Sequence, residues 1–171
     1  MISLKILLMI SQILRVIMGY EYLWQNVRVK GGAYGCMSSF SRLGEGYFVS
    51  YRDPNLEKTN EVYEGIVPYI REFKVSERDM TKYIIGTMSG IDRPMTPSAK
   101  GDRSMNLYMC RITEEMILEE RNQILDATER DIRALADIVD AVLKCNQLCV
   151  IGSEEKIEEQ KDLFMEIRSI F

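Results

Sequence analysis

"VRVKGGAYGCMSSFS", residues 27–41, decides how the chain is read. Val27, Val29, Tyr34 and Phe40 carry strand character, and the pair Gly31–Gly32 interrupts it. Glycine inside a strand costs entropy and removes a packing side chain, so it marks a bulge or a close approach by another backbone. Two readings stay open here. One is a β-bulge whose neighbours, Arg28 and Tyr34, point wherever the pleat sends them. The other is a place where an extended peptide passes close, with a guanidinium and a phenol set to receive it. Arg28 and Tyr34 stand six apart, so an unbroken strand puts both on one face, whereas a bulge breaks that parity.

On its C-terminal side, "GEGYFVSYRD" (44–53) is a second strand, joined to the first around "LGEG" as a hairpin. "DPN" (53–55) stops it, with Asp53 or Asn55 available to cap the helix that follows. "LEKTNEVYEGIVPYIREF" (56–73) is amphipathic, with a kink expected at Pro68. Ser76 and Asp79 open another helix, and "TEEM" (113–116) and "TERD" (128–131) start two more, over about 114–125 and 128–143. "RPMTPSAKGD" (93–102) is the most loop-like stretch; a helix over about 101–112 follows it. "QLCVIGS" (147–153) reads as a short buried strand and "EEKIEEQKDLFMEIRSIF" (154–171) as a closing charged helix. On the N-terminal side, Ile6, Leu7, Ile10, Ile13, Leu14 and Ile17 recur at helical spacing, giving a core helix that runs to about Trp24 with Gly19 loosening it. The order predicts an α+β domain spanning 1–171, its mostly antiparallel sheet covered on one face by helices.

Composition narrows the function. The chain has 171 residues, 46% of them hydrophobic, and a net charge of −4, and its basic residues are interspersed; nucleic acid is therefore excluded as the main partner. Lys5 and Arg15 interrupt the apolar N-terminus, so no membrane span is expected. There is no histidine, which removes histidine-based metal sites and Ser-His or Cys-His nucleophiles from this chain. Cys36, Cys110, Cys145 and Cys149 lack zinc-ribbon spacing and are expected to be reduced, buried structural thiols. Arg52 and Asp53 are expected to be structural, and Lys100 a solvated loop cation. Glu114, Glu115, Glu119 and Glu120 are expected on a solvated face. The methionines, 11 in all and including Met80, Met88, Met95, Met105, Met109 and Met116, are expected mainly in the core.

Longer strings then identify a likeness. "YEYLWQNVRVKGGAYGCMSSFSR" (20–42) with "GYFVSYRDPNLEKT" (46–59) resembles the C-terminal part of the presequence-protease group of pitrilysin-type zinc peptidases. "YIIGTMSGIDRPMTPSAKGDRS" (83–104) and the "CVIGSEE" (149–155) turn continue the likeness at the right distances. The resemblance implies a mitochondrial-processing-peptidase-like metallohydrolase fold, this chain being most of the last of four homologous domains and truncated at its N-terminal side. It implies a parent metalloendopeptidase that degrades short unfolded peptides in a closed chamber. The parent's zinc and general base would come from an H-x-x-E-H motif in an N-terminal half that this chain lacks. Carried over by motif, Arg28 would grip a substrate carbonyl and Tyr34 would donate to the oxyanion, with Gly31, Gly32 and Gly35 letting the peptide pass close. The chain alone would bind no metal and be inactive; its partners would be unfolded peptides and the zinc-bearing half. A second reading is a non-catalytic subunit or peptide-binding module of the same fold, and exposed sheet edges leave self-association open. The compartment expected is bacterial cytoplasm, with mitochondrial matrix or plastid as the alternative.

Overall fold

The computed structural model describes residues 4–41 and 45–169, with side chains described from Ile10 onward. Helix α1 (Leu4–Ile17) does not stop near Trp24 as the spacing predicts. It loosens into two successive π-helical segments, Met18–Tyr22 and Trp24–Lys30, and ends only at Gly31. Strand β1 is therefore shorter than expected, Gly35–Phe40, and pairs antiparallel with β2, Gly46–Tyr51, in a register running from Gly35 opposite Tyr51 to Phe40 opposite Gly46. The Ser41 N–H donates to the Glu45 carbonyl at 2.8 Å, so the hairpin is closed; Arg42, Leu43 and Gly44 of the expected connection lie outside the described residues.

Alternation sets the two faces of this sheet. Ser38 and Phe40 are buried against the helices, and Phe48 meets Phe40 edge-on at 5.8 Å. Met37, Tyr47, Val49 and Tyr51 point the other way and are exposed. Helices thus cover one face of an antiparallel sheet, the α+β arrangement expected. The core centres on α1, whose Ile13, Leu14 and Ile17 are fully buried with Met18, Leu23 and Val27 of the π-helical extension. Ile66, Ile70, Ile124, Ile132, Leu135 and Val139 close over them. Each such side chain contributes about 1.5–3 kcal/mol by leaving water.

The region 57–144 is helical: α2 (Glu57–Glu64), α3 (Ile66–Arg71), α4 (Glu77–Ile91), α5 (Pro97–Met109), α6 (Glu114–Leu125), α7 (Glu129–Ala134) and α8 (Ala136–Lys144). The caps fall where polar residues predict them. Ser76 accepts from the Asp79 N–H, Thr113 accepts from that of Met116, and Thr128 with Asp131 forms a capping box. Thr96 adds one more and Pro97 occupies the first helical position, so α5 begins before residue 101. The expected helix over 128–143 is divided at Leu135 into α7 and α8.

The break in 56–73 falls at Gly65, not Pro68. Tyr22 crosses there to donate its hydroxyl to the Val62 carbonyl at 2.9 Å, and a Cβ on Gly65 would meet that hydroxyl at 2.4 Å. Pro68 sits in the first turn of α3, where its missing N–H has no intrahelical partner to lose.

Three further expectations fail. Residues 147–153 form no strand, because a third strand needs a ladder and among the described residues the sheet is β1–β2 alone; Leu148 and Ile151 are exposed. Over the described residues the closing helix shrinks to α9 (Glu154–Glu158) and a 3₁₀ turn at Lys161–Leu163, since a charged segment with no fully buried residue in either gains little to offset the cost of helix nucleation. The cysteines are free, but only Cys36 is half-buried; Cys110 and Cys145 end α5 and α8 on the surface, and Cys149 is exposed in the segment after α8.

Candidate functional site: the glycine-ended helix and the Tyr34–Arg52 cluster

Arg28 and Tyr34 do not share a strand. Arg28 stands in the last turn of the π-helical segment and Tyr34 immediately precedes β1, with a helix terminus between them. The N–H groups of Gly31 and Gly32 both donate to the Arg28 carbonyl, and that of Ala33 donates to the Val27 carbonyl at 3.2 Å. Gly32 has φ +82°, the left-handed conformation in which glycine commonly terminates helices. A Cβ on Gly31 would stand 2.5 Å from the Val27 carbonyl oxygen, so no side chain fits there. The glycine pair is a helix stop, and the bulge reading is corrected accordingly.

The loop after β2 buttresses this stop. Asn55 donates its side-chain amide to the Gly31 carbonyl at 2.6 Å. Asp53 holds Asn55 in turn by accepting from its N–H at 2.9 Å, and accepts from the Thr59 hydroxyl at 2.8 Å. Asp53 and Asn55 therefore brace the Gly-Gly turn; neither caps α2, whose N-cap, Leu56, makes no side-chain bond.

Two aromatic contacts place the site's side chains. The Arg28 guanidinium lies over the Trp24 ring, 4.0 Å from its centroid, one turn back along the same helix. Tyr34 is 64% exposed and meets Tyr51 edge-on at 6.0 Å. Its N–H is shared between the carbonyls of Tyr51 and Arg52, at 3.1 and 3.3 Å. The Arg52 guanidinium sits 5.7 Å from the Tyr34 ring and 5.4 Å from that of Tyr51. Burial pushes the Cys36 thiol upward; the Arg28 cation pulls it partly back and the Asp53 carboxylate raises it, which sets Cys36, Arg28 and Asp53 in one electrostatic neighbourhood.

A stacked guanidinium and an exposed phenol thus flank the glycine turn along the chain, and the phenol ring meets Tyr51 of the exposed sheet face. The sequence singles out Arg28, Tyr34, Gly31 and Gly32; it passes over Trp24 and Tyr51 and treats Arg52 as a strand end. A Trp four residues before an Arg on a helix is the signal for the first. The second, an aromatic at the end of β2, emerges only from the pairing register.

Glu120 departs from the solvated face expected for α6. It is 8% exposed and shares the inward side with Ile124, because α6 packs on α1 and α4. Met105 and Met109 on α5 are exposed, outside the core role expected of them, while Met80 is buried. Among the described residues no three His, Cys, Asp or Glu side chains converge as metal ligands, and the chain has no histidine. The residues present do not fit a zinc site. No helix of the described residues is long and apolar enough to cross a membrane.

Comparison with known proteins covers most of the chain. A family described as "PreP C-terminal domain" matches residues 7–154. "Protein HypA" of Clostridium perfringens is 46% identical over 158 residues, 92% of this chain and 16% of that protein. "Presequence protease 1, chloroplastic/mitochondrial" of Arabidopsis thaliana is 34% identical over 151 residues, 86% of this chain and 14% of that protein. "Presequence protease, mitochondrial" of Danio rerio is 31% identical over 148 residues, 84% of this chain and 14% of that protein. The chain spans about one-sixth of these relatives' length or less.

Proposed function

Because the chain belongs to the presequence-protease C-terminal domain family, we propose that it is the substrate-clamping part of a zinc metalloendopeptidase of the pitrilysin type. Arg28 holds a backbone carbonyl of an extended, unfolded peptide. A planar guanidinium offers several fixed donors to carbonyl oxygens, and its stacking on Trp24 leaves fewer orientations to lose on binding. Tyr34 donates its phenol proton to the carbonyl oxygen on which charge grows at the scissile bond. Gly31 and Gly32 leave backbone bare beside both, so the peptide comes close. Residues outside this chain supply zinc and the water-activating base; the chain by itself is inactive. The setting taken for this reading is the bacterial cytoplasm; the 46% identity to a Clostridium protein supports a bacterial source, and relatives named chloroplastic or mitochondrial support the organellar alternative.

The observation carrying this reading is the pairing of a Trp24-stacked Arg28 with an exposed Tyr34 across the glycine turn. The test is hydrolysis of an unfolded peptide of about 20 to 30 residues by the chain alone and by the chain mixed with the remainder of a presequence protease, truncated where this chain begins; Tyr34→Phe in the mixture should lower turnover by about 10²–10³. Hydrolysis by the chain alone, or a mixture indifferent to Tyr34→Phe and Arg28→Ala, overturns the clamp.

A further inference from the structure

A cleft of about 700 Å³ opens on the helical side of the molecule, between α1, α4, α5 and α6. Four arginines from four segments line it: Arg15 of α1, Arg93 just after α4, Arg103 of α5 and Arg121 of α6. Arg121 is neutralised, since both its terminal nitrogens bond the Asp92 carboxylate, whose acidity rises in consequence. Glu120, which also lines the cleft, has a partner. The side chains of Arg15, Arg93 and Arg103 make no direct hydrogen bond or ion pair among the described residues, though Arg103 is near enough to Asp92 to help lower its carboxyl pKa. Four arginines thus face two carboxylates, those of Glu120 and Asp92, in a chain whose net charge is −4.

We propose that this cleft binds a small organic polyanion, a molecule with two or more carboxylate or phosphate groups on an apolar body. Like charges drawn together around a concavity repel unless an anion sits among them, and the guanidinium fork matches carboxylate and phosphate oxygens two at a time. Ile91, Met95, Leu107, Ile112 and Ile117 line the same cleft and suit the apolar body. The volume is that of a small-molecule site. Arg15 does not serve merely as a helix-terminal cation, because α1 runs on into the π-helical turns beyond it.

Helix α5 gives the site a consequence. It contains no buried residue, so little packing holds it to the rest of the fold. An anion bridging Arg103 to Arg15 and Arg93 fastens α5 to α1 and to the end of α4. The site is independent of the peptide clamp, whose residues it does not share.

The experiment measures thermal unfolding and amide hydrogen exchange of the chain with citrate, with pyrophosphate, and with sodium chloride at matched ionic strength. The expected result is a rise in melting temperature and slowed exchange across Pro97–Met109 with a polyanion at millimolar concentration and not with chloride. The preferred probe, citrate or pyrophosphate, distinguishes a carboxylate from a phosphate ligand. Arg103→Ala should weaken the polyanion's affinity on the order of tenfold or more, as loss of a charge-assisted bond requires. Arg93→Ala removes a guanidinium beyond the end of α4 that bonds no described residue, and it repeats the test should Arg103→Ala unfold. Equal stabilisation by matched chloride, or affinity unchanged in both variants, overturns the proposal.

Discussion

Arg52 braces Tyr34 twice over: its carbonyl accepts from the Tyr34 N–H at 3.3 Å, and its guanidinium lies 5.7 Å from the Tyr34 ring. It does so with φ at +47°, a conformation that costs a non-glycine residue about 1–3 kcal/mol. The backbone strain and the cation can be separated by substitution. Arg52→Gly relieves the strain and loses the guanidinium, whereas Arg52→Ala keeps the strain and loses the guanidinium. The alanine variant should be less stable than the glycine variant by roughly 1 kcal/mol in urea unfolding. Both should move the Tyr34 ring resonances toward random-coil positions in NMR spectra. Unmoved resonances would show that the cation does not hold the ring.

The glycine stop should tolerate no side chain at either position. At Gly31 the obstacle is the Val27 carbonyl, 2.5 Å from a new Cβ; at Gly32 it is φ +82°. Gly32→Ala should cost about 1–2 kcal/mol through the left-handed backbone. Gly31→Ala should cost more, since backbone must shift before the methyl fits. Chemical denaturation reads both. If Gly31→Ala were the milder change, the helix end would have to be soft enough to unwind by a turn.

The same stop explains where sequence reading succeeded and where it failed. The long strings around Arg28 and Tyr34 are enough to identify the family, because they depend on residue identity; the roles proposed for the two side chains rest on that likeness. Their geometry was not legible. Val27 and Val29 alternate as a strand's residues do, yet Leu23 and Val27, four apart, are the pair that the helix buries. A Gly-Gly pair marks a bulge or a helix end equally well, and only the bonds from Gly31 and Gly32 to the Arg28 carbonyl decide. Caps at Ser76, Thr113 and Thr128 were readable because each is a local bond between neighbours. The break at Gly65 was not, since its cause, Tyr22, lies 43 positions away in the chain. "QLCVIGS" failed for a similar reason: strand propensity cannot supply the partner strand.

Alkaline pH should weaken the fold through Glu21. Its carboxylate accepts from the hydroxyls of both Tyr69 and Tyr83. Burial raises both phenols above their ordinary value of 10.0, and the negative charge of Glu21 raises them further. A group whose pKa is higher folded than unfolded adds stability that is complete below the unfolded value and disappears as pH climbs through the folded one. Unfolding free energy should therefore stay level up to about pH 9 and fall above about pH 10. Glu21→Gln removes the charge, brings both phenols closer to 10, and makes that decline shallower. Ultraviolet difference titration beside urea unfolding at each pH checks the assignment; an unchanged decline would leave burial as the whole cause.

Trp24 should matter to peptide handling without touching the scissile bond. Its ring lies 4.0 Å from the Arg28 guanidinium, and at a partly exposed site such a contact contributes about 0.5–1 kcal/mol. Trp24→Leu preserves an apolar side chain in the helix and preserves the Arg28 charge, but frees the guanidinium to sample other rotamers. If Arg28 grips a backbone carbonyl distant from the reacting bond, the lost order should appear as a few-fold rise in KM with kcat held, in the chain recombined with the remainder of a presequence protease. If Tyr34 serves the oxyanion as proposed, Tyr34→Phe should do the reverse, lowering kcat with KM little changed, because that oxyanion exists only as the bond breaks. The two residues are separated by one helix end, and opposite signatures from them would divide ground-state grip from transition-state stabilisation across that turn. If Trp24→Leu instead lowered kcat and left KM alone, Arg28 would have to act at the reacting carbonyl, and the roles assigned to it and to Tyr34 would need to be exchanged.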